Sequence, residues 1–113
     1  MKTEGDLAEQ IATEYLLVQG LHLIARNYHC RFGEIDLIMR DEKTLVFVEV
    51  RLRSHGGFGG AAYSITSAKQ QKLILTAQHF LQQYGNYPCR FDALLLDQLS
   101  QTDMHWLKDA FSA

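Results

Sequence analysis

The chain has 113 residues, 47% of them hydrophobic and 21% charged, and 13 acidic against 11 Lys or Arg side chains leave a formal charge of −2. This describes one ordinary globular domain spanning residues 1–113, able to bury roughly 65% of its unfolded surface and without the overall basic footprint of a strongly cationic nucleic-acid binder. No stretch is long and apolar enough for a membrane span, Met1-Lys2-Thr3-Glu4-Gly5-Asp6 is not a signal peptide, and Cys30 and Cys89 lack Cys-x-x-Cys spacing, so a reduced, cytoplasmic setting is expected.

Residues 6–19 are expected to form a helix. Ala8, Ile11, Ala12, Tyr15 and Leu16 recur at helical spacing, and Gly20 follows as a C-terminal stop. Glu9 lies at the edge of that apolar stripe rather than opposite it. Residues 21–29 read as a strand with Leu21, Leu23 and Ala25 on one side.

Two further strands carry acids among apolar residues: Gly33-Glu34-Ile35-Asp36-Leu37-Ile38, and Leu45-Val46-Phe47-Val48-Glu49-Val50-Arg51-Leu52-Arg53. Between them Asp41-Glu42-Lys43-Thr44 has the size of a tight turn, without the Asn-Gly or Asp-Gly signature of the favoured hairpin loops. With Glu42 and Lys43 at its centre, Asp36 faces Glu49, Glu34 faces Arg51, Ile38 faces Phe47 and Arg40 faces Leu45. Alternation then assigns Ile35, Leu37, Met39, Val46, Val48 and Val50 to one wholly apolar face. The other face is apolar near the turn and charged at its open end. Like charges directly opposite destabilise a sheet, and buried carboxylates are costly without compensation, so Asp36 facing Glu49 calls for a cation.

The glycine-rich run from Ser54 to Ala62 reads as a flexible connection, or as a loop whose backbone closes on a ligand. It lacks the spacing of a dinucleotide or P-loop fingerprint. Residues 67–84 should form the main helix, with Ser67 and Gln70 at capping-box spacing and Leu73, Ala77, Phe80, Leu81 and Tyr84 as its apolar stripe. Lys69 and Lys72 sit in its first turns, where positive charge opposes the helix dipole; they are either solvated or part of a local anion site. Gly85 to Pro88 break the helix, residues 89–96 form another strand, and residues 104–108 a short last one. The expected fold is α/β, a central mixed sheet flanked by helices in the order α-β-β-β-α-β with that short final strand.

Phosphodiester hydrolysis needs an activated water and relief of the charge that builds on the phosphate, and a carboxylate-held divalent ion serves both needs. Mg²⁺ (or Mn²⁺) takes oxygen ligands, often only one or two carboxylates from the protein. Asp36 and Glu49 suit that role, with the Val50 carbonyl as a third ligand and Glu9 adding a further contact through water. Arg51, on the same face as Glu49, suits the phosphate.

Asp36 followed by Glu49-Val50-Arg51 resembles the signature of the PD-(D/E)XK nucleases, in which an acid on one strand precedes acid-x-Lys on the next. Gly5-x-x-x-Glu9-x-x-Ala12-x-x-Tyr15-Leu16, Arg26-Asn27, Gly33-Glu34-Ile35-Asp36-Leu37-Ile38, Val46-Phe47-Val48-Glu49-Val50-Arg51, Lys69, Arg90-Phe91-Asp92 and Trp106-x-x-Asp109-Ala110-Phe111 together resemble the bacterial YraN family over nearly the whole chain. The resemblance implies a restriction-endonuclease-like fold related to archaeal Holliday-junction resolvases, and a metal-dependent endonuclease acting on DNA, branched or structured, as a symmetric homodimer. By position, Glu9, Asp36 and Glu49 take the acidic triad and Arg51 the lysine slot. Arginine can grip a phosphate but cannot act as a general base. That departure leaves a catalytically weak DNA-binding module as a second reading; a protein-interaction domain whose acidic face binds a basic partner instead of metal is a third.

Arg26, Arg31, Arg53 and Lys69 are candidates for phosphate contacts. Each acid also has a plain structural alternative: Asp36 and Glu49 salt-bridged to Arg51 and Arg53, Glu34 paired with Arg51, and Arg90 with Asp92. Tyr63 could stack on bases, whereas Trp106 is expected in the core. The histidines show no zinc spacing.

Overall fold

A computed structural model describes residues 2–52 and 65–113, apart from the side chain of Asp103. Arg53, the glycine-rich run and Tyr63 lie outside the described residues. The elements run α1 (Glu4–Val18), β1 (His22–Cys30), β2 (Gly33–Asp41), β3 (Thr44–Leu52), α2 (Ser67–Tyr84), β4 (Cys89–Leu96), a single 3₁₀ turn (Gln101–Asp103) and β5 (Met104–Phe111). The five strands form one mixed sheet in the order β1-β2-β3-β4-β5. All neighbours are antiparallel except β3 and β4, which are parallel and joined through α2. This α/β architecture is compatible with a restriction-endonuclease-like fold.

Two apolar clusters lie on opposite faces of the sheet. Ala8, Ala12 and Leu16 of α1 meet Leu37, Met39, Val46, Val48, Leu94 and Leu96. Leu73, Ala77 and Phe80 of α2 meet Ile38, Leu45, Phe47, Phe91 and Leu95. Consecutive strand residues divide between the two clusters because side chains alternate, so both faces of the central strands are buried and their sequences read as near-continuous apolar runs.

The helix ends have local causes. Thr3 and Asp6 form a reciprocal capping box on α1: the Asp6 N–H donates to Thr3 Oγ1 and the Thr3 N–H to Asp6 Oδ2, each at 3.1 Å. The cap of α2 is Thr66, one residue before the Ser67 expected, and its hydroxyl accepts the Lys69 N–H at 3.2 Å. Gln70 does not close a box there; it donates to the Ile65 carbonyl at 2.8 Å.

The β2–β3 turn has Glu42 and Lys43 at its centre, as expected, since Asp41 pairs with Thr44. Glu42 takes φ 55°, the left-handed backbone that lets a two-residue loop follow the strand twist. In β1 the register shifts between Leu23 and Ala25. Ala25 consequently packs with the α2 cluster, whereas Leu21, just ahead of the strand, packs with α1 and Leu23 is exposed, so these three do not share a side. The last strand is longer than expected and ends at Phe111, whose ring stacks on Phe91 at 4.6 Å.

Arg90 and Asp92 form the structural ion pair anticipated. Asp92 is 1% exposed and accepts from Arg90 Nε at 3.1 Å, Trp106 Nε1 at 2.9 Å and the Asp109 N–H at 2.9 Å, fastening β5 to β4. Trp106 is half-buried against the α1-side cluster, edge-on to Tyr15.

Candidate metal and phosphate site

The β2–β3 ladder follows the expected register from Asp41–Thr44 to Leu37–Val48 and then stops. Asp36 therefore does not sit opposite Glu49 in a continuous ladder. Its carboxylate turns into the seam between the strands, and Oδ2 accepts the backbone N–H of Val50 at 2.8 Å. On the other side of β2, the β1 ladder pairs Arg26 with Leu37 and Tyr28 with Ile35, passing over Asn27, which takes φ 52°, and Asp36. Alternation breaks at the same point. Ile35 packs in the α2-side cluster and Leu37 in the α1-side cluster, so Ile35 does not join the apolar face expected for it. Beyond the split, β3 is held by β4 through the parallel pairs Glu49–Ala93 to Leu52–Leu96.

Glu49 follows Phe47 onto the α2 face and is 6% exposed. Its Oε2 takes two cations, Arg51 Nη2 at 3.2 Å from its own strand and Lys69 Nζ at 3.7 Å from the first turn of α2. Sequence reasoning placed Lys69 among phosphate candidates but not beside Glu49, since nothing in strand spacing reports which residue a crossover helix returns to that face. Glu34 pairs with His29 across β1 at 3.3 Å, not with Arg51.

Burial pushes the Asp36 carboxyl from an ordinary 3.8 up to about 7. The Val50 N–H opposes that rise, while the negative charges of Glu49, Glu9 and Glu34 add to it. Glu9 is likewise raised, chiefly by burial, with the Asn27 side chain and the Arg26 charge pulling the other way. The structure thus brings Glu9, Asp36 and Glu49 within electrostatic reach of one another. It adds Asn27 to the set, a residue the sequence marks only as part of the Arg26-Asn27 segment of the family resemblance and by asparagine's tolerance of left-handed backbone.

The candidate phosphate contacts divide. Lys69 and Arg51 flank Glu49. Arg26 lies on the α1 side, its charge acting on Glu9 and Asp6. Arg31 occupies the tip of the β1–β2 hairpin, its guanidinium 4.8 Å over the Phe32 ring. Arg53 is outside the described residues.

Among the described residues no three His, Cys, Asp or Glu side chains are gathered closely enough to form a ready-made ion cage. The donor set is instead a pair with open oxygens. Neither Asp36 Oδ1 nor Glu49 Oε1 makes a hydrogen bond among the described residues, and Glu9 Oε1 is buried without a partner. Two carboxylates that each keep one oxygen outside the hydrogen-bond network fit the habit of Mg²⁺, which often takes only one or two protein carboxylates and keeps much of its hydration.

A family model described as an uncharacterised protein family, UPF0102, matches residues 8–96. The chain is 63% identical over 113 residues to a UPF0102 protein of Methylobacillus flagellatus, covering 100% of both chains. It is 54% identical over 109 residues to a UPF0102 protein of Nitrosomonas europaea, covering 96% of this chain and 92% of the relative. A UPF0102 protein of Pseudomonas putida is 53% identical over 112 residues, covering 95% and 90%.

Proposed function

The chain belongs to the uncharacterised protein family UPF0102, and we propose that it is a PD-(D/E)XK-type, metal-dependent endonuclease of the YraN kind acting on DNA. One observation carries the reading. A half-buried aspartate leaves its strand ladder to accept the N–H beside a second, buried carboxylate, and that carboxylate is matched by two cations. A carboxylate raised to about 7 by burial and like charges costs stability, and such arrangements concentrate at functional sites.

Asp36 Oδ1 and Glu49 would hold a Mg²⁺ or Mn²⁺ ion, and Glu9, through its charge and its orphaned Oε1, would order a water at the edge of that shell. When bound, the ion supplies an activated water and charge relief at the phosphate. The Val50 N–H keeps Asp36 Oδ2 fixed, so the other oxygen is presented in one orientation. Arg51 and Lys69 balance the charge of Glu49, and both can turn to a phosphate oxygen. Arg51 cannot remove a proton from water. Its role is therefore orientation and charge.

The test is cleavage of labelled linear duplex, single-stranded and four-way-junction DNA with Mn²⁺ or Mg²⁺, alongside Glu49→Ala. The reading predicts metal-dependent cutting that the variant loses. Arg51 in the lysine slot favours a second reading, a module that binds DNA with little or no catalysis. Retained binding by a folded protein that never cuts would support it.

A further inference from the structure

The inward face of α2 is Leu73, Ala77 and Phe80. Along the border of that face Lys69, Lys72, Thr76 and His79 recur at three- and four-residue spacing, so they share one edge of the helix. That edge is tied to the sheet at both ends. At the first, Lys69 reaches Glu49. At the second, His79 Nδ1 bonds the Tyr28 hydroxyl, and the Phe32 ring packs against His79 with centroids 6.4 Å apart. Between them Gly33 passes so close that a Cβ there would meet Thr76 Oγ1 at 3.2 Å and Lys72 Cβ at 3.7 Å. The hairpin tip Arg31–Phe32 therefore lies along the same edge as the carboxylate cleft, and Lys69 to His79 spans about 15 Å of helix.

The charges along this edge are open. Lys72 and Arg31 are exposed, and neither has a carboxylate partner among the described residues. The acid nearest the tip in sequence, Glu34, contacts His29 across the ladder and neither of these cations. A single solvated lysine carries no meaning, but these cations form a line that begins at the cleft. It ends in a guanidinium stacked on a ring, a surface suited to both a phosphate and a base.

We propose that this edge is the track along which one DNA strand leaves the Asp36–Glu49 cleft, with Lys72 and Arg31 on successive phosphates and Phe32 at the far end. The inference rests on the DNA-directed reading above. At 3.4 Å of duplex rise per nucleotide the track covers about four nucleotides, all to one side of the cleft.

The test is fluorescence anisotropy of the full chain with labelled linear duplex and four-way-junction DNA over a range of salt concentrations. The double variant Arg31→Ala/Lys72→Ala should keep its melting temperature, bind both DNAs more weakly, and lower the slope of log affinity against log salt by about 1.8. Lys43→Ala, in the turn at the opposite end of β2, should leave the slope unchanged. A double variant with the wild-type slope would overturn the track while leaving the cleft untouched. A reduced slope in a protein that binds but does not cut would uphold the track and remove the catalytic reading. Absence of DNA binding by the wild type would overturn both. Binding of poly-glutamate as tight as that of DNA, and equally weakened in the double variant, would replace nucleic acid by an acidic protein as the occupant.

Discussion

Asp36 Oδ2 accepts the backbone N–H of Val50 at 2.8 Å, so a side chain replaces the ladder bond that β2 would otherwise offer β3. The seam opens at that point, and a carboxylate occupies a place where ordinary strands have only backbone.

The folded-state value of that carboxyl is about 7 against an ordinary 3.8. Between those values the folded chain holds a proton that the unfolded chain has released, so stability falls as pH rises from about 4 to about 7 and stays low above. Asp36→Asn keeps an oxygen for the Val50 N–H and removes the charge. Thermal melts should show this variant more stable than wild type by about 5 °C at about pH 8, with the gap closing toward about pH 4. A gap of the same size at both ends would mean that the charge is not its cause.

The two cations on Glu49 should prove coupled. Arg51 and Lys69 are 48% and 42% exposed, so each alone is screened by solvent and its loss should cost only about 1 kcal/mol. Removing both leaves Glu49 buried with no opposite charge paired to it among the described residues. Urea denaturation of Arg51→Met, Lys69→Met and the pair should therefore give a non-additive loss of about 1 kcal/mol beyond the sum, relieved by Glu49→Gln. Simple additivity would show that the cations act on something other than Glu49.

Much of this was legible from the chain, and what was not has identifiable causes. The turn at Glu42-Lys43 sets the register of the apolar half of the hairpin, and the observed pairs Ile38–Phe47 and Arg40–Leu45 follow from it. The same alternation, carried on past Leu37, puts Asp36 opposite Glu49 and Ile35 beside Leu37. Both expectations fail because alternation assumes an unbroken ladder, and Asp36 breaks it. The Leu23–Ala25 register shift fails the same assumption in β1. Thr66 and Ser67 are adjacent hydroxyl residues of similar capping strength, so composition cannot choose between them. The acids of the site were identifiable as residue types, whereas the meeting of Lys69 with Glu49 depends on where the parallel crossover sets α2 down.

Asp92 should behave as structure and not as part of the cleft. Asp92→Ala strips acceptors from Arg90, Trp106 and the Asp109 N–H, all around a fully buried position. The expected cost is about 3 kcal/mol, followed by urea denaturation with Trp106 fluorescence as the probe. A loss below about 1 kcal/mol would show that β5 is held by other contacts.

Gly33 links the hairpin to α2. It takes φ 153°, and an added Cβ would stand 3.2 Å from Thr76 Oγ1, so Gly33→Ala should destabilise by about 1 kcal/mol. Gly20, where an added Cβ would meet nothing within 4 Å, tests backbone strain alone. Gly33→Ala should cost more than Gly20→Ala in parallel thermal melts.

The central claim is that Asp36 and Glu49 form a divalent-cation site, and Mn²⁺ binding by electron paramagnetic resonance at about pH 8, where Asp36 is largely ionised, tests it most directly. The wild type should bind Mn²⁺ saturably, and Asp36→Ala should abolish that binding while staying folded. Unchanged Mn²⁺ affinity in that variant, or no binding by the wild type, would contradict it.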